Sequence, residues 1–86
     1  MDANVNADDL RRLARQISKT QGEIDKALNQ LSGVLKSVKW QDQSRSRFES
    51  ELSQLISRTK ALSKEAERFR PVLEKKARAI DDYKRA

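Results

Sequence analysis

The chain contains two long tracts in which apolar residues recur every three or four positions. In the first, Leu10, Ile17, Ile24, Leu31 and Val38 fall seven apart. Leu13, Ala27 and Val34 flank them on one side, and Ala14, Leu28 and Leu35 on the other. A helix gathers such positions onto one face, and that face asks for a helical partner. In the second tract Phe48, Leu52, Leu55, Thr59, Leu62, Ala66, Phe69, Leu73, Lys76, Ile80 and Tyr83 alternate four and three apart, and Ile56 widens the stripe. This is coiled-coil spacing. The pattern predicts two helices, over about 7–39 and 43–84.

Local signals support these bounds. Asn6 is the expected N-cap of the first helix, with Asp8 and Asp9 in the first turn, where carboxylates meet the positive end of the helix dipole. Asp42 is the expected N-cap of the second, its carboxylate accepting free amides of the first turn. Pro71 removes a backbone donor and clashes with the carbonyl of Glu67. Because the apolar stripe stays in phase across it, the expectation is a kink and not a break. Gly22 costs about 1 kcal/mol relative to alanine within a helix. Beside Thr20 and Gln21, it marks the middle of the first helix as loosely packed or closely approached by a neighbouring backbone.

Only Lys39 to Gln41 separate the two helices, and so short a connection makes them antiparallel. At about 1.5 Å per residue the helices are roughly 45–50 Å and 60 Å long. The last turns of the second, with Leu73, Ile80 and Tyr83, are therefore expected to overhang. The fold class is all-α: a single helical-hairpin domain spanning 1–86, with 1–6 and 85–86 as flexible ends. A two-helix hairpin buries one stripe per helix, and a second hairpin would complete a four-helix bundle. The expected interface comprises Leu10, Ile17, Ile24, Leu31 and Val38 with Phe48, Leu52, Leu55, Leu62, Phe69, Leu73, Ile80 and Tyr83.

Composition narrows the function. The chain has 86 residues, 36% hydrophobic and 37% charged, too little apolar mass for a wide core. Two glycines and one proline leave almost no turn chemistry for a sandwich or barrel. Without cysteine or histidine there is no disulfide, no thiolate nucleophile and no thiol–imidazole metal site. The pairs Asp8–Asp9 and Asp81–Asp82 read as helix-end charges. No catalytic residue, metal ligand or cofactor is therefore expected, and the protein is read as not an enzyme. No apolar stretch reaches the roughly 20 residues of a membrane span, and the N-terminal residues do not form a Sec-type signal.

The net charge of +6 comes from interspersed signs, as on solvated helix faces. It leaves open a nucleic-acid reading, with Arg11, Arg12, Arg15 and Lys19 on the first helix and Arg68, Arg70, Lys75, Lys76, Arg78, Lys84 and Arg85 in the second. Against it stand Glu65, Glu67, Glu74, Asp81 and Asp82 in the same stretch, and no aromatic interleaving for base stacking.

Trp40, the only tryptophan, sits where the chain reverses, in the run Trp40-Gln41-Asp42. A periodic helix, this turn, Phe48 eight residues on, a longer periodic helix and Tyr83 near its end resemble the WXG family of small helical hairpins of bacterial type VII secretion. The family's glycine is replaced by Asp42, which tolerates turn conformations and caps helices. The resemblance implies a protein that pairs as a homodimer, or with another helical hairpin or larger toxin, and leaves the cytoplasm folded by a specialised route. The family's export signal places an acidic residue four after the tyrosine, whereas Lys84, Arg85 and Ala86 follow Tyr83. The expectation is then a chain carried by a signal-bearing partner, or an adaptor retained inside. The basic balance suits an acidic partner helix. A cytosolic coiled-coil adaptor unrelated to secretion predicts the same fold.

Overall fold

A computed structural model describes residues 5–85, and it is a helical hairpin. Helix α1 spans Ala7–Ser37, and the returning arm is divided into α2, Ser44–Ala66, and α3, Phe69–Arg85. The expected flexible ends fall, at 1–4 and 86, outside the described residues. Asn6 caps α1 as its sequence context predicts. Its backbone is extended, and its side-chain oxygen accepts the N–H of Asp8 at 2.8 Å and of Asp9 at 3.4 Å.

The returning arm departs from the expected single kinked helix. Glu67 and Arg68 form a turn in which the amides of Glu67, Arg68 and Arg70 bond three residues back, to Lys64, Glu65 and Glu67. This tightening divides the helix just before the proline. Pro71 then stands in the first turn of α3, where its missing N–H leaves no intrahelical bond unmade. The two segments stay close to one line, since the molecule measures 69 × 16 × 16 Å.

The overhang is absent. Arg11 pairs with Asp81, Arg70 donates to Ser18 at 3.1 Å, and Lys60 donates to Asn29 at 2.7 Å. These cross-links fix an antiparallel register in which Ile80 lies against the first turns of α1. The cause is the connection. It runs over 38–43 and not 39–41, Val38 is extended, and an extended residue spans about 3.3 Å against 1.5 Å in a helix. Those residues let the shorter helix keep pace with the longer arm.

The buried apolar residues are few, three alanines and two isoleucines: Ala7, Ala14, Ile56, Ala77 and Ile80. Ala7, Ala77 and Ile80 form one cluster with Val5 and Leu10 packed against it. Alanine on both sides lets α1 and α3 approach closely, and α3 packs more extensively on α1 than α2 does. Halfway along, the seam is occupied by polar side chains, Gln21 and Ser63.

Gly22 and Gly33 both lie within α1, and a Cβ at either would meet nothing within 4 Å. Of the two reasons for a central glycine, close approach of a backbone is therefore excluded. Gly22→Ala is expected to stabilise the hairpin by about 1 kcal/mol, through helix propensity alone. In a chain of this size that corresponds to a rise in melting temperature of roughly 4–8 °C, read by thermal circular dichroism.

Candidate interaction surface

The turn is built around Asp42. Its carboxylate accepts the Trp40 indole N–H at 2.8 Å, the backbone N–H of Ser44 at 2.9 Å and the Ser44 hydroxyl. The N-cap position itself falls to Gln43, whose side chain makes no capping bond, so Asp42 serves the helix start from one residue earlier. The Trp40 ring packs on Phe48 at a centroid separation of 5.1 Å and a tilt of 45°. The Trp40 carbonyl accepts from Arg45 at 2.9 Å. Trp40 is thus half-buried and joined to the first turns of α2 by both its backbone and its ring.

Hydrogen bonds from Ser44 and then from Trp40 hold the Asp42 carboxyl below its ordinary value of 3.8, and the hydrogen bond from Arg11 does the same for Asp81. A carboxyl depressed in the folded state contributes stability above about pH 4, and that contribution is lost as pH falls through the depressed value. Below pH 4 the fluorescence of Trp40 is expected to change in a transition that Asp42→Asn removes and Asp81→Asn leaves in place. Trp40 is the only tryptophan, so the signal reports the turn alone.

Away from the turn the hairpin has two unlike sides. Along one groove Arg11, Arg15, Arg70, Glu74 and Arg78 lie together, and further on Asp25, Asn29, Ser57, Lys60, Ala61 and Lys64. Two of the cations here are paired with carboxylates: Arg11 bonds Asp8 and Asp81, and Arg70 bonds Glu74 at 2.9 Å. The other groove is lined by Gln16, Ile17, Thr20, Gln21, Ile24, Ser63 and Ala66, and holds a shallow cavity of about 200 Å³. Leu62, Ala66 and Phe69, with Glu65 and Arg68 beside them, continue that side along the second arm.

The expected interface residues divide between these settings. Ile80 is buried inside the hairpin, and Leu10, Ile17, Leu52 and Leu73 are half-buried. Ile24, Leu31, Val38, Phe48, Leu55, Leu62, Phe69 and Tyr83 are exposed, and Leu13, Val34 and Val72 join them. Phe48, Leu55, Leu62, Phe69 and Tyr83 fall on one heptad position of the returning arm. The alternate heptad position, Leu52, Thr59, Ala66, Leu73 and Ile80, turns partly or wholly inward. On α1 the inward line is Ala7, Ala14, Gln21, Leu28 and Leu35, each three residues before a member of the Leu10–Val38 stripe. The hairpin therefore closes on mixed lines of alanine, polar and branched aliphatic side chains and leaves about half of its large apolar ones outside.

Size shows how open this is. The chain exposes 7102 Å², whereas a compact monomer of its mass would expose about 5,200 Å². Its radius of gyration is 19.9 Å against about 12 Å for a globular chain of this length. Among the described residues no helix is long and apolar enough to cross a membrane, and no group of three or more acidic side chains is placed to hold a metal. No family model, curated protein or solved structure matches this chain.

Proposed function

We propose that this chain is a non-enzymatic helical interaction protein that pairs with a second helical hairpin, through its open apolar side, into a four-helix bundle. The observation that carries this reading is the row Phe48, Leu55, Leu62 and Phe69, left exposed at heptad spacing, with Tyr83 exposed two heptads on, beyond Lys76. Isolated exposed apolar residues are ordinary, but a periodic row along an arm beside an apolar groove is the signature of a missing partner. The Trp40–Asp42 turn adds the resemblance to WXG-type proteins. In that setting the chain acts as an effector or adaptor of type VII secretion, held in the cytoplasm until it pairs with or accompanies a larger secreted protein. A nucleic-acid role has less support, because Arg11 and Arg70 of the basic groove are already paired with carboxylates.

Light scattering and sedimentation of the chain, alone and with the helical N-terminal region of a larger secreted protein encoded beside it, test this reading. A complex with the mass of two hairpins, persisting in high salt as apolar contacts do, is expected. A chain that remains monomeric under both conditions at millimolar concentration would overturn it.

A further inference from the structure

Beyond pairing, we propose that the groove on the other side of the hairpin binds a doubly charged phosphate group of a small soluble molecule, a phosphate monoester or inorganic phosphate. The group is held between the guanidinium groups of Arg15 and Arg78. Arg11, Arg15, Arg70, Glu74 and Arg78 line an open trough of about 460 Å³ between α1 and α3, a volume within the range of small-molecule sites. Arg11 is engaged by Asp8 and Asp81, and Arg70 by Glu74. Arg15 and Arg78 belong to none of the ion pairs among the described residues.

Register brings these two together. Arg11 pairs with Asp81, and Arg70 donates to Ser18 at 3.1 Å. Arg15 stands between positions 11 and 18, so it lies opposite the turn of α3 that runs from Glu74 to Arg78. Like charges four apart on a helix repel, as Arg11 and Arg15 do, and α3 adds Arg70 and Arg78 from across the same trough. A fold with no use for this cluster would gain stability by dispersing it. Cations gathered against their own repulsion are what an anion site requires.

Residue type and charge define the ligand. The chain has ten arginines and nine lysines, yet every cation lining this trough is arginine. A guanidinium presents its donors as a planar fork matched to phosphate and carboxylate oxygens, whereas an ammonium is a point charge. One carboxylate in the trough already serves one arginine: Glu74 accepts from Arg70 Nε at 2.9 Å. A further carboxylate would likewise offset only one of the two remaining cations. A phosphate monoester carries about two negative charges near neutral pH and has three acceptor oxygens, enough to bond Arg15 and Arg78 at once. The diester phosphates of a nucleic-acid backbone bring one charge each and would meet Glu74 and Asp81 along the groove.

Phosphorus NMR titrations of the full chain with phenyl phosphate, and with dimethyl phosphate as the singly charged control, test this. The monoester is expected to bind at least about tenfold tighter than the diester, and Arg15→Gln with Arg78→Gln to lose at least about tenfold, the scale of a lost charge-assisted hydrogen bond. Arg15→Lys with Arg78→Lys keeps the charge but discards the forks, and should lose a comparable share. Lys36→Gln with Lys39→Gln removes the same two charges at the far end of α1 and should lose none. Because Arg15 and Arg78 are exposed and outside every ion pair, the glutamine pair should melt no lower than the parent chain in thermal circular dichroism. Equal affinity for monoester and diester, equal losses in the arginine and lysine-to-glutamine pairs, or full binding in Arg15→Lys with Arg78→Lys would reduce the site to diffuse charge and overturn the proposal. Uptake of vesicles containing phosphatidic acid, with no binding of phenyl phosphate, would also overturn it. None of these readouts requires a protein partner, so they stand or fall apart from the pairing role.

Discussion

Leu62→Lys is expected to weaken association at least a hundredfold without unfolding the hairpin. The side chain is 66% exposed and lines the same side of the molecule as Ala66 and Phe69, so it contributes little to closing the hairpin. Against a partner it would become buried. Full burial of a leucine is worth about 1.5–3 kcal/mol, and the lysine adds the cost of placing an ammonium in an apolar contact. At about 1.4 kcal/mol per tenfold change, the leucine term alone accounts for roughly one to two decades, and the charge carries the loss beyond that. In a symmetric pair the substitution occurs twice and the loss doubles in free energy. The measurement is a dilution series in analytical ultracentrifugation, with circular dichroism at a concentration where the parent chain is monomeric. Equal affinity for parent and variant would place the interface elsewhere. A collapsed helical signal at that concentration would show instead that Leu62 belongs to the hairpin's own core.

The same residue shows how far the sequence could be read. Periodicity located both arms to within a few residues, because a seven-residue repeat of leucine, isoleucine and phenylalanine has no other economical fold. Asn6 and the Asp8–Asp9 turn were legible because N-capping is a local interaction between a short side chain and amides two or three residues away. The inward line was legible only in part: Ala14, Leu28 and Leu35 stand out as a flank of the first stripe, whereas Ala7, Gln21 and Ser63 do not. Ala7, Ala14, Gln21 and Ser63 score as small or polar, yet they form the closed seam, since helices brought together by cross-links such as Arg11–Asp81 and Lys60–Asn29 approach most closely over short side chains. A stripe of large apolar residues says that a helix has a partner, and it does not say whether that partner is the same chain. The returning arm carries two such lines, one turned in at Ile80 and the other out at Leu62 and Phe69. The missing overhang has a different cause. The length of the connection depends on whether Val38 is helical or extended, and that is set by the turn around Trp40 and Asp42, not by helix propensity.

This division of labour places the weight of folding on the end of the hairpin opposite the turn. Ile80→Ala is accordingly expected to cost about 2–5 kcal/mol, the range for emptying a buried isoleucine site. Ile80 is 3% exposed and packs with Ala7 and Ala77, the latter wholly buried, while Val5 and Leu10 cover the cluster. Natural domains have about 5–15 kcal/mol in all, and one with so few buried apolar residues belongs at the low end. Ile80→Ala should therefore release α3 from α1, whereas Leu62→Ala, exposed at the same kind of heptad spacing, should change stability by less than about 1 kcal/mol in the monomer. Hydrogen exchange separates the cases: protection should fall first in α3 and the opening turns of α1, with the Trp40 turn keeping its fluorescence. Loss of Ile80 also removes the scaffold that holds Phe69 and Tyr83 in line. Association and α3 protection should then fail together in Ile80→Ala, and association alone should fail in Leu62→Lys. If Ile80→Ala instead associates as tightly as the parent chain, the partner is contacted by the α2 half alone, and the apolar row along α3 serves no interface.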